Sequence, residues 1–267
     1  MFHQTIKRSL GLAALCALGL APAASLGESR RPNLRSLEYR LSWGLDEIGA
    51  QRAYRQGEAG NGVTVAMVDT GVNGTASLFA RLSPASTDLV TDRMLGDAGA
   101  SHGRQTAQLL AAARDGAGTM GVAYDATLLS IRADIDGSCR TMCSMTGDML
   151  ARGIDYAVDH GARVIGLPLA AWKPLPKVEA AMLRAAKAGA LIVAAAGNEG
   201  DAEPVWPARY AADPRLKDAI IVAGASTAKR QLARWSNRAG STAHRYLVAP
   251  GEHAPGIHRA RPDAVRR

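Results

Sequence analysis

Apolar and polar positions along this chain switch repeatedly between two periods. Val63 to Val68 is apolar except for Thr64, has no helical spacing, and lies between Gly62 and Gly71. Such a run predicts a strand buried on both faces, and Asp69 closes it. Asn73 to Gly99 is polar and aperiodic, which predicts a loop with one short element. From Ser101 the Ala/Leu spacing to Ala113 predicts a helix capped by Ser101, with His102 in its first turn. Thr127 to Ala133 reads as the next strand. Met149, Leu150, Ile154, Ala157 and Val158 predict a helix over 145–160, ended by Gly161. Arg163 to Leu167 reads as a strand, and Lys177 to Ala188 as an amphipathic helix. Gly189 turns that helix into the strand Ala190 to Ala195, and Asp218 to Ala225 gives a further strand. Strands alternating with helices predict an α/β fold, a parallel sheet with helices on both faces. Asp69 then stands at the carboxyl end of a buried parallel strand, where open α/β sheets form their crevices.

Composition narrows this picture. The 267 residues are 47% hydrophobic, enough for a sizeable core. Formal net charge is +8, yet no stretch interleaves aromatic with basic residues in the way that stacks bases. The charge reads as an Arg-rich surface, and no nucleic-acid partner is expected. Residues 1–24 have the layout of a cleaved export signal: Lys7 and Arg8, the apolar run Leu10 to Leu20, then Ala21-Pro22-Ala23. The run is too short to cross a bilayer, so no stable membrane span is expected and the product is read as secreted or periplasmic. Cleavage removes two basic residues and no acidic one, leaving 30 against 24, or +6.

It also removes Cys16 and leaves Cys139 and Cys143. Two thiols four residues apart in an exported chain favour a disulfide. They are less suited to metal, because no nearby His or second Cys pair completes a zinc set. No metal is expected. Gly116-Ala117-Gly118-Thr119-Met120-Gly121 fits the spacing of a dinucleotide loop. That loop needs a strand before it and a helix after it, whereas here the order is reversed, so no cofactor is expected. His160 at a helix end complements the helix C-terminus and is no catalyst.

Four phrases carry a family resemblance. Val68-Asp69-Thr70-Gly71-Val72 resembles the aspartate motif of the subtilisin-like serine proteases (subtilases). His102-Gly103 at a helix start resembles their histidine motif, 33 residues downstream and in the family's order. Ala196-Gly197-Asn198-Glu199-Gly200 resembles the motif of the oxyanion-hole Asn. Arg163-Val164-Ile165-Gly166-Leu167-Pro168-Leu169 resembles the segment whose extended backbone pairs with substrate. Smaller likenesses are Gly121-Val122-Ala123, Trp235-Ser236-Asn237 and Ala249-Pro250-Gly251. Trp43 to Ala50 resembles the lead-in of the exported autotransporter type, the nearest group. The resemblance implies Asp69 as orienter, His102 as general base, Asn198 as oxyanion donor, and Leu167, Pro168 and Leu169 as substrate-binding positions. It implies a peptide or protein substrate and serine-type endopeptidase activity.

The chain also departs from the family. The histidine motif usually reads His-Gly-Thr-x-Val-Ala-Gly, and here Arg104, Thr106 and Gln108 replace its Thr, Val and last Gly. Gln108 is expected to change how that helix sits. Pro168 removes a backbone donor and Ala170 adds a methyl beside the peptide path. After Glu252 no Gly-Thr-Ser follows, and Ser226, Ser236 and Ser241 stand in other contexts. The expected organisation is a signal over 1–24, a lead-in over 25–59, an incomplete subtilase domain over 60–252 and a basic, non-homologous tail over 253–267. The expected fold is a subtilisin-like parallel sheet, C-terminally incomplete, from a truncated or frameshifted gene. Two alternatives follow from a missing serine: a pseudoprotease that binds peptide or a partner, or half of a split protease whose serine helix lies on a complementing chain.

Overall fold

The computed structural model describes residues 31–72, 76–90, 93, 101–140 and 142–252, and the backbone of 264–266. The export signal expected over 1–24 lies outside them. Residues Arg31–Arg267 form one compact unit. In chain order its helices are α1 (Leu37–Leu41), α2 (Gly44–Glu47), α3 (Ala50–Arg55), α4 (Ala76–Phe79), α5 (Ser101–Ala111), α6 (Gly147–Asp159) and α7 (Pro176–Lys187). The strands are β1 (Thr64–Asp69), β2 (Thr87–Asp88), β3 (Thr127–Arg132), β4 (Ser144–Thr146), β5 (Val164–Leu167), β6 (Leu191–Ala195), β7 (Ile220–Ser226), β8 (Tyr246–Pro250) and β9 (Ala264–Arg266).

Seven strands form one parallel sheet in the order β2-β3-β1-β5-β6-β7-β8. Residues alternate between its faces, as the pleat requires. Ala66, Val68, Ile131, Ile165, Leu167, Ile192 and Val222 point to one side, where α6 and α7 bury them in the main core with Leu150, Ile154, Val178 and Met182. Met67 and Leu128 point to the other side, against Ala107 and Ala111 of α5 and Leu78 of α4. Helices therefore cover both faces.

The two faces are not equally covered. Along β6 and β7 burial alternates: Ile192, Ala194, Ile220 and Val222 are buried, whereas Leu191, Val193, Ala195, Ile221 and Ala223 are half-buried. The half-buried set lies on the side opposite α6 and α7. Leu247 of β8, in register with Ala223, is 61% exposed.

Several expectations are revised in detail. The stretch Met145 to His160 begins with the short strand β4, and the helix starts at Gly147, capped by the Thr146 hydroxyl accepting from the Met149 N–H at 3.1 Å. Cap chemistry there overrides the apolar spacing of Met145. The loop expected over 73–99 holds two elements, α4 and the edge strand β2. The lead-in from residue 31 onwards is packed, with Tyr39, Leu45, Ala50 and Tyr54 sharing a small core with Met120 and Tyr124. Gln108 stays off the buried Gly103/Ala107/Ala111 stripe of α5, so its side chain does not hold the helix away from the sheet.

Two phenols stabilise that N-terminal layer only while neutral. Tyr54 donates to Val122 O at 2.8 Å, and burial pushes its pKa well above the usual tyrosine range. Burial likewise raises that of Tyr39, which donates to Asp46 at 2.6 Å. A raised folded-state pKa contributes stability below the unfolded value, and this is lost as pH rises towards the folded one. Urea midpoints should therefore fall between about pH 9 and pH 11. Tyr54→Phe should flatten that fall, and an unchanged slope would refute the assignment.

Candidate active site

The site begins with a close approach of two backbones. β1 ends at Asp69, and Gly71 follows with φ 84°, a left-handed conformation that only glycine adopts freely. The first turn of α5 comes down on this turn. A Cβ on Gly103 would lie 2.1 Å from Gly71 O, so glycine is obligatory there. The Gly103 N–H, one of the free donors of a helix start, is taken up by Thr70 Oγ1 at 3.0 Å.

This contact delivers His102 to Asp69. The imidazole Nδ1 is 2.8 Å from Asp69 Oδ1 and 3.0 Å from Oδ2. A ring nitrogen facing a carboxylate carries the proton, so Nδ1–H donates and Nε2 is left as the basic nitrogen. The Asp69 side chain is 3% exposed and that of His102 is 16% exposed. A buried carboxylate needs donors, and Asp69 has three. Besides His102 these are the Thr70 N–H, 2.6 Å from Oδ1, and the Thr106 hydroxyl, 3.0 Å from Oδ2. The pair has the geometry that an oriented general base requires.

The strand beside it is charged but balanced. Asp69 is in register with Arg132, and the Ala133 N–H donates to Asp69 O at 2.9 Å. Arg132 reaches Asp134 at 2.7 Å, and Arg93 reaches Asp88 at 2.8 Å and Asp134 at 3.1 Å. Arg93 and Arg132 thus pair with Asp88 and Asp134, with the exposed Asp136 3.9 Å from Arg93, next to the loop that holds Cys139 and Cys143. Those two cysteines form a disulfide.

On the other side of β1 lie β5 and β6. Leu167 and Leu169 are buried in the main core, so their side chains cannot meet a ligand and only their backbone is available. Pro168 between them is half-buried. Ala171 then pairs with Trp206 through two backbone bonds, of 2.7 and 3.0 Å.

Asn198 stands three residues past β6, at the same carboxyl edge as Asp69. Two strand spacings separate β6 from β1, about 10 Å. Asn198 is exposed, and its side-chain amide takes no hydrogen-bond partner among the described residues. The turn around it is held from below. Asn237, fully buried, accepts from the Glu199 and Asp201 N–H groups at 3.0 Å each and donates from Nδ2 to Glu199 Oε2 at 3.0 Å. Glu199 Oε2 also accepts from the Asn198 N–H at 2.9 Å. A free amide on a braced turn is what an oxyanion donor requires.

The subtilase family (peptidase S8) matches residues 60–264. This chain belongs to that family. It is 31% identical over 195 residues to the alkaline protease of Alkalihalobacillus alcalophilus, across 73% of this chain and 49% of that protein. It is 32% identical over 174 residues to subtilisin BL of Lederbergia lenta, across 64% of this chain and 61% of that one. The subtilase therefore spans about half the length of the first relative. Its fold is similar to that of the prenylagaramide maturation protease PagA, with a TM-score of 0.62 at 21% identity, over 81% of this chain and 71% of that one.

Sequence reasoning missed Thr106, Glu199 and the buried Arg132 cluster. Thr106 had a usable signal, since it lies four residues after His102 and so on the same helix face. For the subtilase two outcomes are expected. Gly103→Ala should cost about 3 kcal/mol or more in urea unfolding, because the methyl meets backbone that cannot move aside. Asn237→Ala should speed amide exchange of Gly197 to Asp201 by about 10-fold or more while leaving β1 protected.

Proposed function

We propose that this chain carries the acid–base and oxyanion parts of an exported, subtilisin-type serine endopeptidase, nearest the autotransporter type. It turns over peptides only when a serine-bearing segment completes it. The observation that carries the reading is the Asp69–His102 pair at 2.8 Å, seated by Gly71 and Gly103.

An extended peptide lies across the carboxyl ends of β1, β5 and β6, pairing with the backbone of Leu167, Pro168 and Leu169. His102 Nε2 takes the proton of an attacking hydroxyl, and Asp69 stabilises the imidazolium that forms. The carbonyl oxygen gains charge as the tetrahedral intermediate forms, and the Asn198 amide donates to it. His102 then returns the proton to the leaving amine. The hydroxyl itself belongs to no motif in these 267 residues. One observation supports a helix to carry it: the half-buried strip of Val193, Ile221 and Ala223 offers an apolar bed. The layout of residues 1–24 supports export, with a peptide or protein as substrate and neither nucleic acid nor cofactor as partner.

The test supplies the missing part. The chain is fused, through a flexible linker, to a Gly-Thr-Ser-x-Ala segment with its apolar helix. Fluorophosphonate labelling and cleavage of an extended chromogenic peptide are then measured. The chain alone should show neither, and the fusion should show both. His102→Ala in the fusion should lower turnover by about 10⁴-fold or more. A folded fusion that binds peptide saturably without labelling would overturn the protease reading in favour of a peptide-binding pseudoprotease.

A further inference from the structure

We propose that Thr106 is a positioning residue of the acid–base pair, fixing the Asp69 carboxylate through its hydroxyl. Thr106 lies inside α5, four residues after His102. Its Oγ1 is 3.0 Å from Asp69 Oδ2, 3.0 Å from Gly103 O and 3.2 Å from His102 O. One hydroxyl has one proton for these three acceptors. The carboxylate takes it, because a bond to an ionised acceptor is about twice as strong as one to a carbonyl. The two carbonyls sit near enough to fix the rotamer of the side chain without claiming the proton.

The consequence for Asp69 follows from counting donors on each oxygen. Oδ1 is held by the Thr70 N–H at 2.6 Å and by His102 at 2.8 Å. Oδ2 has only the longer arm of His102, at 3.0 Å, and the Thr106 hydroxyl. Without that hydroxyl Oδ2 would be held by the imidazole alone, and only the Thr70 N–H on Oδ1 would resist rotation of the carboxylate about its Cβ–Cγ bond. The group that orients the base would then be oriented in part by the base. With it, the carboxylate is clamped from three directions and the imidazole plane is set by a fixed partner. The residue does this from the same helix turn that carries His102, so base and clamp move together. The family's histidine motif, with its apolar residue at this position, offers no such donor.

The inference rests on the proposed role of the pair only for its purpose, and its test needs no nucleophile. Thr106→Val keeps the shape and removes the hydroxyl, whereas Thr106→Ser keeps the hydroxyl and removes the methyl. The low-field Nδ1–H resonance of His102 and its exchange with solvent are measured on the whole chain. Thr106→Val should move the resonance and speed its exchange by about 10-fold, and Thr106→Ser should restore both. A double-mutant cycle in urea gives an independent readout. Thr106→Val should lower the midpoint when Asp69 is present and leave it unchanged in Asp69→Asn. Equal midpoint shifts in both backgrounds would overturn the proposal, as would Thr106→Val and Thr106→Ser perturbing His102 alike. Neither result depends on whether the serine fusion hydrolyses peptide.

Discussion

The carboxyl edge of the sheet depends on how closely the first turn of α5 can approach the end of β1. That distance is set by two residues without side chains. Gly71 turns the chain back in a conformation closed to other residues, and Gly103 leaves no atom between helix and turn. A methyl at 103 would have to occupy the position of Gly71 O. The consequence is chemical as much as steric. With the backbones in contact, the Thr70 hydroxyl accepts from the Gly103 N–H at the helix start, and the next side chain back, His102, is brought to Asp69. A buried carboxylate is costly unless surrounded by donors, and this approach adds two, His102 and Thr106, to the Thr70 N–H already beside it.

The turn that carries Asn198 is built by a different kind of contact. The turn 197–201 follows β6, but its hydrogen bonds go to Asn237, on a segment after β7. The parallel order of the sheet makes this possible, because β6 and β7 are neighbours and their carboxyl ends open onto the same edge. The Asp69–His102 pair is therefore local to β1 and α5, while the Asn198 turn depends on the right half of the sheet. Damage to β7 or its following loop would disturb Asn198 before it disturbed His102. On the left, the ion-paired Arg132–Asp134–Asp88–Arg93 cluster holds the end of β3 beside Asp69.

Much of this was legible in the sequence, and the reason differs by element. Strands inside a parallel sheet announce themselves as unbroken apolar runs, so β1, β3, β6 and β7 were placed to within a few residues, although one face of β6 and β7 is only half-buried. Asp69 and His102 were legible because each sits at a chain feature with its own signal, a strand end before glycine and a helix start. The lead-in was less readable: α1 to α3 are four to six residues long, too short for periodicity to develop, and they fold onto Met120 and Tyr124 by tertiary contact. β4 was hidden within an apolar helical pattern because a capping threonine outweighs one methionine. Gln108 was expected to displace α5. The sequence could not reveal that the buried stripe runs through 103, 107 and 111 instead. The arginine–aspartate cluster joins two separate segments, 88–93 and 132–134, and the bond between them, Arg93 to Asp134, is one no local pattern encodes.

The sheet is covered unequally, and this sets the two halves of the site apart in energy. Where α5 and α4 cover it, Met67 and Leu128 are buried and the Asp69–His102 pair rests on packed core. Over β6 to β8 the same face leaves Val193, Ile221 and Ala223 half-buried and Leu247 largely exposed. Apolar surface of this kind lowers its free energy by about 25 cal/mol for each Å² removed from water. A helix laid along that strip would therefore bind mainly through the hydrophobic effect and would end at the edge where Asn198 and His102 stand. On the proposed reading the fold supplies a base, an oxyanion donor and an apolar bed that points to both. The reacting hydroxyl is then positioned by the same burial that completes the core, so catalytic assembly and stabilisation become one event.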